Sequence, residues 1–303
     1  MISFARLYRP GVVVSIAGQI ISALAIPGVV APRVTFRCSR SMSSTPDSAA
    51  ITVFGLSPEQ RAAIGKLWAE TARAKITIAA GYEGITTSLF VGDARTMQPS
   101  MKAGPEYMTV INADDGGDLL ADAPIPGALA STAGLTAQQM IDVALRCFEL
   151  HAATTGDLPI VAHPSVAETI GTASPSATTL FYSSVAVGKA RDLLDEAART
   201  LGCRWWIRDS QLYMVRRGVP ADKLAIVLQR DHWLDEPSED GNGMVRLSTF
   251  LDPNITPGRQ LVLVGRVAPG KPETFRVEAA DYTGDTEGGA PHRVDCDLRR
   301  LLG

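Results

Sequence analysis

The sequence predicts a mainly β protein with an α+β insert, in which two barrel-like β domains flank a small helix-plus-hairpin module. Runs of β-branched residues, or of residues that alternate between apolar and polar, occur through the first 118 residues and again after Pro220. Residues 119–135 have the Ala, Gly, Pro, Ser and Thr composition of a linker. Residues 136–220 combine helical periodicity with two short strand-like runs. The predicted divisions are therefore 1–118, 119–135, 136–220 and 221–303.

The first 30 residues contain an apolar run that has some features of a targeting segment. Ser15, Gln19 and Ser22 interrupt this run, and no small-residue cleavage site clearly ends it. The run is also too short and too polar for a membrane helix, so we expect no stable membrane insertion. We interpret residues 12–25 as a long hairpin or a pair of strands.

Strand-like runs and one helix are predicted within residues 1–118. The helix has a well-defined start, with Ser57 as N-cap, Pro58 at the first helical position and Gln60 three residues after the cap. One apolar face of this helix is predicted to plug the open end or side of the curled sheet. Its residues are Ile64, Leu67 and Trp68.

The middle module is predicted to contain two helices followed by a hairpin. The first helix begins at Thr136 and has Gln139 in a capping-box position, and the second ends at Gly202, a residue suited to a helix C-terminus. The strands CRWWIR and QLYMVR follow, and a turn at Asp209 and Ser210 joins them.

Two adjacent tryptophans of this hairpin are predicted to face opposite ways. Trp205 shares its side of the strand with Cys203 and Ile207, which favours a place in the core. Trp206 points to the other side and is the better candidate for a protein interface. A carbohydrate-binding platform that also includes Trp233 is the less favoured alternative.

A second hairpin is predicted near the C-terminus, around the sequence DYTGDTEGG. Residues on both of its arms alternate in polarity with period two. The inward sets are predicted to be Phe275, Val277 and Ala279 on the first arm and Val294, Cys296 and Leu298 on the second. Asp295 and Asp297 lie on the opposite side of the second arm, so we expect them to point away from the core.

The loop DYTGDTEGG has three acids and three glycines, which invites comparison with ion-binding loops. Counted from Asp281, the acids stand at positions one, five and seven and the twelfth residue is His292, so the spacing does not match a calcium loop. A phosphate loop precedes a helix, whereas a strand follows here. We interpret the loop as a connection in which Gly284, Gly288 and Gly289 supply positive φ angles.

Four cysteines are widely separated in the sequence: Cys38, Cys147, Cys203 and Cys296. No CxxC motif or Cys/His cluster accompanies them, and three lie on apolar faces. Buried free thiols are therefore favoured over disulfides and metal ligands, which fits synthesis in a reducing compartment. We expect neither a metal nor a cofactor.

The carboxylates of NADDGGD and a histidine of AHPSVAE are the candidates for catalysis. They are Asp114, Asp115 and Asp118 in the first motif and His163 with Glu168 in the second. A glycosidase needs two carboxylates facing across a cleft, and a zinc peptidase needs ligands at helical spacing, as in HExxH. Neither motif has that spacing, so no catalytic residue is predicted. NADDGGD is interpreted as a strand end and turn rather than a calcium site.

Composition also limits the classes of function. The chain has 303 residues, of which 46% are hydrophobic and 20% charged, so it can bury a substantial core in two or three domains. Its formal net charge of −3 provides no basic field that would hold nucleic acid by counterion release. We therefore expect no specific nucleic-acid binding.

Five phrases of the sequence are informative through their order and spacing. They are PRVTFRCSRSMSSTPDSAAITVFGLSPEQRAAI, AGYEGITTSLFVGDA, ARDLLDEAARTLGCRWWIRDSQLYMVRRG, VRLSTFLDPNITPGRQLVLVG and FRVEAADYTGDTEG. Together they cover nearly the whole chain, and in this order the chain resembles the baseplate hub proteins of tailed bacteriophages. That group includes the phage late protein D family and the hubs of contractile tails. The chain departs from the hub pattern at Tyr282, where hubs usually carry His, and in WLDEPSEDGNG, which replaces a G-L-I-G-x-P stretch.

The resemblance implies a structural protein of the virion tail baseplate and not an enzyme. Hubs of this kind trimerise at the bottom of the tail tube, and two barrel-like domains per chain give six similar units that match a hexameric tube. The implied partners are further copies of the chain, the tail tube protein, the central spike protein and other baseplate proteins, with assembly in the host cytoplasm. The alternatives are a tail-associated cell-wall hydrolase, the hub part of a secretion-system spike, and a single-barrel tube or tail-completion protein.

The resemblance also gives a role to the outward face of the closing hairpin. In a tail hub, one outward surface lines the channel through which DNA leaves, and acidic side chains there would repel phosphate groups. We therefore expect the strand of Asp295 and Asp297, or its equivalent in the other barrel, to face this channel. The loop DYTGDTEGG is expected to shape the joint between two barrel strands, and its contact with a neighbouring subunit stays open.

Overall fold

The fold is mainly β, as the sequence predicts. A computed structural model describes residues 10–16, 18–23, 31–70, 74–82, 85–103, 106–116, 123–125, 135–155, 159–173, 188–287 and 292–301. Within these ranges the chain forms two compact units. The first draws on residues 1–40, 47–115 and 224–300, and the second on residues 41–46, 116–223 and 301–303.

The N-terminal part of the first unit contains seven strands and one helix. They are β1 (Pro10–Ile16), β2 (Gln19–Ala23), β3 (Val34–Ser41), β4 (Ser48–Phe54), α1 (Pro58–Glu70), β5 (Lys75–Tyr82), β6 (Ile85–Ala103) and β7 (Glu106–Asp114). The strand pair β1–β2 confirms the hairpin predicted for residues 12–25, of which 17, 24 and 25 lie outside the described residues. Val12, Val14 and Ile16 are fully buried in it.

The start of α1 confirms the predicted capping box. The backbone N–H of Gln60 donates to Ser57 Oγ at 3.2 Å, and the backbone N–H of Ser57 donates to Gln60 Oε1 at 2.9 Å. Ile64 is buried, and Trp68 packs against the core of the first unit. The helix therefore covers one part of the sheet with its apolar face, as its spacing predicts.

The second unit consists of three helices and a three-stranded sheet. Its elements are α2 (Ala137–Thr155), β8 (Val161–Ala162), α3 (Pro164–Gly171), α4 (Ala190–Leu201), β9 (Cys203–Arg208) and β10 (Gln211–Arg216). Three predicted local features are confirmed. Thr136 and Gln139 form a capping box, Gly202 is left-handed at the end of α4, and Asp209 and Ser210 form the turn between β9 and β10. Helix α3 is an element that the sequence did not predict.

The C-terminal part of the first unit completes the sheet. It contains β11 (Asp222–Leu228), a short 3₁₀ helix (Arg230–His232), β12 (Ser238–Glu239), β13 (Met244–Phe250), β14 (Arg259–Val264), β15 (Pro272–Asp285) and β16 (Arg293–Arg300). The strands run in the order β12-β13-β16-β15-β3-β4-β7-β6-β5-β1-β2, and β14 joins β11 to β15.

The two β portions of the sequence meet where β15 lies beside β3. They share one thirteen-stranded sheet and lie in one compact unit. Among the described strands no closed barrel is present. The large antiparallel sheet is thus the observed architecture, and the finer division into two barrel-like domains belongs to the proposal below.

The closing hairpin confirms one inward set and corrects the other. Val294, Cys296 and Leu298 of β16 are buried, as predicted. On β15, Phe275 and Val277 are buried, but the strand register shifts between Val277 and Ala279. This β-bulge reverses the alternation, because one extra residue moves every later side chain to the other face. The buried residues beyond it are therefore Ala280 and Tyr282, not Ala279.

All four cysteines are free and buried, which confirms the prediction. Burial raises the pKa of the Cys38 thiol to about 12, and burial likewise raises the pKa of the Cys203 thiol to about 12. These thiols stay protonated at neutral pH and act as small apolar side chains.

Among the described residues, none of the helices is both long and apolar enough to cross a membrane.

Candidate interface surface

Strand β16 presents its acids on the outer side of the sheet. Asp295 and Asp297 alternate with buried neighbours and keep 34% and 45% of their side chains exposed. This confirms that both carboxylates point away from the core. We call the outward side of β13, β16, β15, β3, β4, β7 and β6 the polar face, because the rows described next extend across these strands.

The first row of the polar face crosses four strands. Ser248 of β13 stands opposite Asp295, and Asp295 stands opposite Asp281 of β15. The hydroxyl of Ser248 donates to Asp295, and the hydroxyl of Ser39 on β3 donates to Asp281. Two carboxylates directly opposite each other would repel, so these hydroxyl donors stabilise the row.

Arginines neutralise the acids of this face. Arg293 Nε lies 3.0 Å from Asp295 Oδ2, Arg246 Nε lies 3.5 Å from Asp297 Oδ1, and an Arg37 guanidinium nitrogen lies 3.5 Å from Asp281 Oδ2. The sequence suggested an acidic surface at Asp295 and Asp297. In the structure each of these carboxylates has an arginine beside it, and Asp235 and Glu236 line the same pocket as Asp295 and Asp297.

The polar face continues with small side chains over the N-terminal strands. Arg37 of β3 is aligned with Ala50 of β4, which is aligned with Asn112 of β7 and then Thr96 of β6. The Asn112 amide donates to Thr96 Oγ1 at 2.8 Å. Ala50, Asn112 and Thr96 are all exposed. The face is thus made of short polar groups and paired charges.

The loop of the closing hairpin ties β15 to β3. Arg33 donates from Nε and a terminal nitrogen to the two carboxylate oxygens of Asp285, at 3.1 and 2.7 Å. The hydrogen bond from Arg33 lowers the pKa of Asp285. The backbone N–H of Thr286 donates to the Val34 carbonyl at 3.1 Å. Two of the acids that resemble ion ligands in sequence, Asp281 and Asp285, are therefore engaged with β3.

Gly284 serves a close approach and not a positive φ. Its φ lies outside the left-handed region, which corrects the sequence interpretation. A Cβ at this position would lie 2.5 Å from a ring carbon of Phe36 and 3.0 Å from Cε1 of His292. Burial lowers the pKa of His292, whose ring meets Phe36 edge-on. Gly288 and Gly289 lie outside the described residues.

Trp206 faces away from Trp205, as predicted, but its own chain covers it. The ring is 1% exposed, packs with Met42 and Val215, and stacks on Tyr213 with ring centroids 5.2 Å apart. Trp205 lies in the core of the second unit. A role for Trp206 in an interface stays a prediction, and it would require the side chains above the ring to move.

The histidine named as a catalytic candidate has a structural task. His163 is the N-cap of α3, and its Nδ1 accepts a hydrogen bond from the backbone N–H of Ser165 at 3.2 Å. Its ring also stacks on Tyr213 at 4.0 Å. The Glu168 carbonyl accepts a hydrogen bond from Thr172 at the other end of the helix. The cap thus occupies Nδ1 of the ring.

The carboxylates of NADDGGD are also tied into the framework. Arg95 Nε donates to Asp114 at 2.6 Å, and Asp115 is buried while its backbone N–H donates to the Asp47 carbonyl. Asp118 lies outside the described residues. Within the described ranges no group of three His, Cys, Asp or Glu side chains is arranged to hold a metal ion.

Some residues that shape this surface gave no signal in the sequence. Arg33 and Arg37 meet their partners Asp285 and Asp281 across 252 and 244 positions of the chain. Tyr82 donates its hydroxyl to the His292 carbonyl at 3.1 Å and accepts from the Leu251 N–H at 3.1 Å. Only the pairing of distant strands brings these groups together, so local spacing could not identify them.

The fold is that of solved tail proteins. The 43 kDa tail protein of prophage MuSo2 from Shewanella oneidensis has a TM-score of 0.59 at 10% identity, over 96% of this chain and 98% of that chain. The tail protein from Neisseria meningitidis MC58 has a TM-score of 0.57 at 11% identity, over 97% of each chain. These identities are low, so the likeness concerns the fold alone.

A third solved structure comes from a different biological system. It is the E. coli c3393 protein, described as a component of the type VI secretion system with structural similarity to the bacteriophage T4 tail proteins gp27 and gp5. Its TM-score is 0.54 at 11% identity, over 95% of this chain and 77% of that chain. No family model and no curated protein matches the sequence.

Proposed function

We propose that the chain is a structural baseplate hub protein of a bacteriophage tail, in which a homotrimeric ring joins the hexameric tail tube to the central spike. The observation that carries this proposal is the likeness in fold to two tail proteins over nearly the whole length of both partners. The hub-like phrases of the sequence support the narrower assignment. Its place is the virion tail, after assembly in the host cytoplasm, with other baseplate proteins around it.

The sheet supports a ring with six similar units. One part of it consists of β1 to β7 and the other of β11 to β16, and within each part most neighbouring strands are antiparallel and close in sequence. We infer that each part acts as one barrel-like unit of the ring, joined within the chain by the β15–β3 contact. Three chains then supply six units to a hexameric tube.

The polar face is the surface that we assign to the DNA channel. Its groups are short hydroxyls, amides and carboxylates held by arginines, as at Asp295 with Arg293 and Asp297 with Arg246. A surface whose acids are paired with arginines gives a passing phosphate backbone little to bind, although Phe250 of β13 is exposed on the same side. DNA would thus pass without specific recognition. This reason replaces simple repulsion by acids.

A role without catalysis agrees with the tasks of the candidate residues. His163 caps α3, Asp114 pairs with Arg95, and Asp115 is buried at a strand end. A cell-wall hydrolase would need such groups to face a common cleft. We therefore propose a structural protein and treat the hydrolase as the alternative that an assay with peptidoglycan excludes or establishes.

The hub part of a secretion-system spike is a second candidate function. The observation in its favour is the likeness in fold to the type VI secretion component over 95% of this chain. Both systems would use the same ring, so the ring itself does not separate them. The separating observation is the particle in which the chain is found.

Light scattering of the purified chain at high concentration tests the ring. The expected mass is about 97 kDa, three times the 32.2 kDa of one chain. Because the ring can require the tube to close, the second arm is negative-stain imaging of particles with the chain labelled. A label at the spike end of a phage tail supports the proposal. A stable hexamer, or a label elsewhere on the particle, contradicts it.

A further inference from the structure

A groove with an excess of arginines lies in the second unit. It has a volume of about 610 Å³ and is formed by the loop between β3 and β4, the C-terminal end of α4, and β9. Its charged lining residues are Arg199, Arg204, Arg217 and Asp195. We call this feature the arginine groove.

The arginine groove has an excess of positive charge, although Arg199 forms an ion pair with Glu196. Its one acid, Asp195, already accepts a hydrogen bond from Trp205 Nε1 at 2.8 Å and lies 3.8 Å from Arg191 Nε. Arg217 is exposed and makes no ion pair with the parts of the chain that the structure describes. Ser43 and Ser44 add hydroxyl groups to the lining. Such a groove favours carboxylates, which arginines bind with paired hydrogen bonds.

The same chain carries a segment of opposite charge in its first unit. Residues 231–240, which we call the acidic segment, contain five acids in ten residues, and all five are exposed: Asp231, Asp235, Glu236, Glu239 and Asp240. The segment includes β12, which pairs only with β13 among the described strands and so lies at an edge of the sheet. Its position makes it accessible to another molecule.

The acidic segment has a defined shape before it meets a partner. Asp240 accepts hydrogen bonds from the backbone N–H groups of Asn242 and Met244, both at 2.9 Å, which lower its pKa. Arg230 lies 2.7 Å from Glu236, and Arg266 lies 3.3 Å from Glu239. Because these contacts fix the backbone, binding would cost little ordering entropy. Asp235 is exposed and makes no ion pair within the described ranges.

We propose that the arginine groove of one chain receives the acidic segment of a second copy. This rests on the proposed function, since it names a contact that would hold the ring together. The argument for a second copy is charge complementarity between two surfaces of one sequence. The surfaces differ, so the contact runs head to tail, and a head-to-tail contact that rotates by a third of a turn closes into a trimer.

Charge reversal on each surface tests the proposal. The groove variant is Arg199→Glu with Arg217→Glu, and the segment variant is Asp235→Arg with Glu236→Arg. Each is expected to weaken self-association about tenfold or more, because like charges then face each other. Combining all four substitutions is expected to restore association, which loss of folding could not do. Sedimentation at increasing protein concentration measures each association constant, and circular dichroism checks the fold.

A matched control for the groove variant carries the same change in net charge elsewhere. Arg146→Glu with Lys66→Glu alters two exposed helix positions outside both surfaces and should leave association unchanged. Association of the wild type should also weaken as salt rises from about 0.05 to 0.5 M, since added ions screen exposed charges.

The outcomes separate this inference from the proposed function. If the groove and segment variants form trimers as well as the wild type does, the proposed contact is wrong, whereas the proposed trimer is supported. Loss in one variant without recovery in the combination also overturns the contact. If the wild type stays monomeric at every concentration, the groove is no self-association site, and the trimer is then judged on assembled particles alone. If association stops at a dimer, both the proposed contact and the proposed trimer are contradicted.

Discussion

Arg276 and Glu278 form an ion pair inside the sheet although both belong to strand β15 and stand two positions apart. Arg276 Nε donates to Glu278 Oε1 at 2.9 Å, and the two side chains are 2% and 8% exposed. Arg299 of β16 adds a second cation 3.7 Å from the same oxygen. The β-bulge after Val277 leaves Glu278 out of the register with β16, which allows it to turn towards Arg276.

Removing one partner of this pair should destabilise the first unit strongly. Glu278→Ala leaves the Arg276 guanidinium buried without its main carboxylate, which typically costs about 3–5 kcal/mol of unfolding free energy. Guanidinium denaturation followed by circular dichroism measures the loss. The joint variant Arg276→Met with Glu278→Leu should cost less, because no buried charge remains.

An exposed ion pair provides the comparison for that measurement. Glu70→Ala removes the partner of Lys66 on α1, where both side chains are mostly exposed, and should change stability by about 0–1 kcal/mol. If Glu278→Ala lowered the unfolding free energy no more than Glu70→Ala does, the buried pair would contribute no more to stability than an exposed one.

Gly92 of β6 should not tolerate a side chain. A Cβ there would lie 2.4 Å from the Asp114 carbonyl oxygen and 2.7 Å from the ring of Phe90. The backbone of β7 cannot give way without breaking the pairing, so Gly92→Ala is expected to lower the unfolding free energy by about 1–3 kcal/mol. Thermal unfolding checks this. Gly171→Ala, where nothing lies within 4 Å of the added Cβ, is the matched control and should be nearly neutral.

Helix α3 should weaken in acid because a histidine caps it. The pKa of His163 is lowered, chiefly by desolvation, with Arg208 acting in the same direction and Asp222 and Glu168 opposing. The fold thus prefers the neutral ring, which accepts from the Ser165 N–H. A lowered pKa means that the stabilisation is full above the ordinary value of about 6.5 and is lost as pH falls through it towards the folded-state pKa.

Hydrogen exchange of the Ser165 amide is the measurement for this cap. Between pH of about 7.5 and 5, its protection should fall beyond the intrinsic change in exchange rate. His163→Asn keeps an acceptor at the cap but does not titrate, so its protection should be independent of pH. Because burial also lowers the pKa of His292 in the first unit, whole-chain melting would mix two effects. Equal pH dependence in both proteins would contradict the role of His163.

Local signals in the sequence predicted the helix starts and one hairpin face. The capping boxes at Ser57 and Thr136 depend on residues three positions apart, and the alternation around Cys296 depends on period two. These features are decided within a single turn or strand. They can therefore be predicted from the local sequence alone.

Features that depend on distant strands could not be predicted in the same way. The bulge at Glu278 has no glycine to mark it, so the alternation of β15 was extended too far. The pairing of β15 with β3 brings Asp281 to Ser39 across 242 positions, and no local pattern encodes it. The arginines beside Asp295 and Asp297 can be identified only from the strand register.

Reversing the charge of the polar face tests the proposal that this face lines a DNA channel. Asp295→Lys with Asp297→Lys would put two cations beside Arg293 and Arg246, and a basic channel wall would hold phosphates within a Debye length of about 10 Å. Folding should stay nearly intact, since each half-exposed pair contributes about 0–1 kcal/mol. Slower ejection of DNA from assembled particles is the expected result. The control, Arg246→Gln with Arg293→Gln, makes the face acidic and should leave ejection at its normal rate. Normal ejection by the lysine variant, or a density map with both carboxylates on the outer rim, would show that this face does not line the channel.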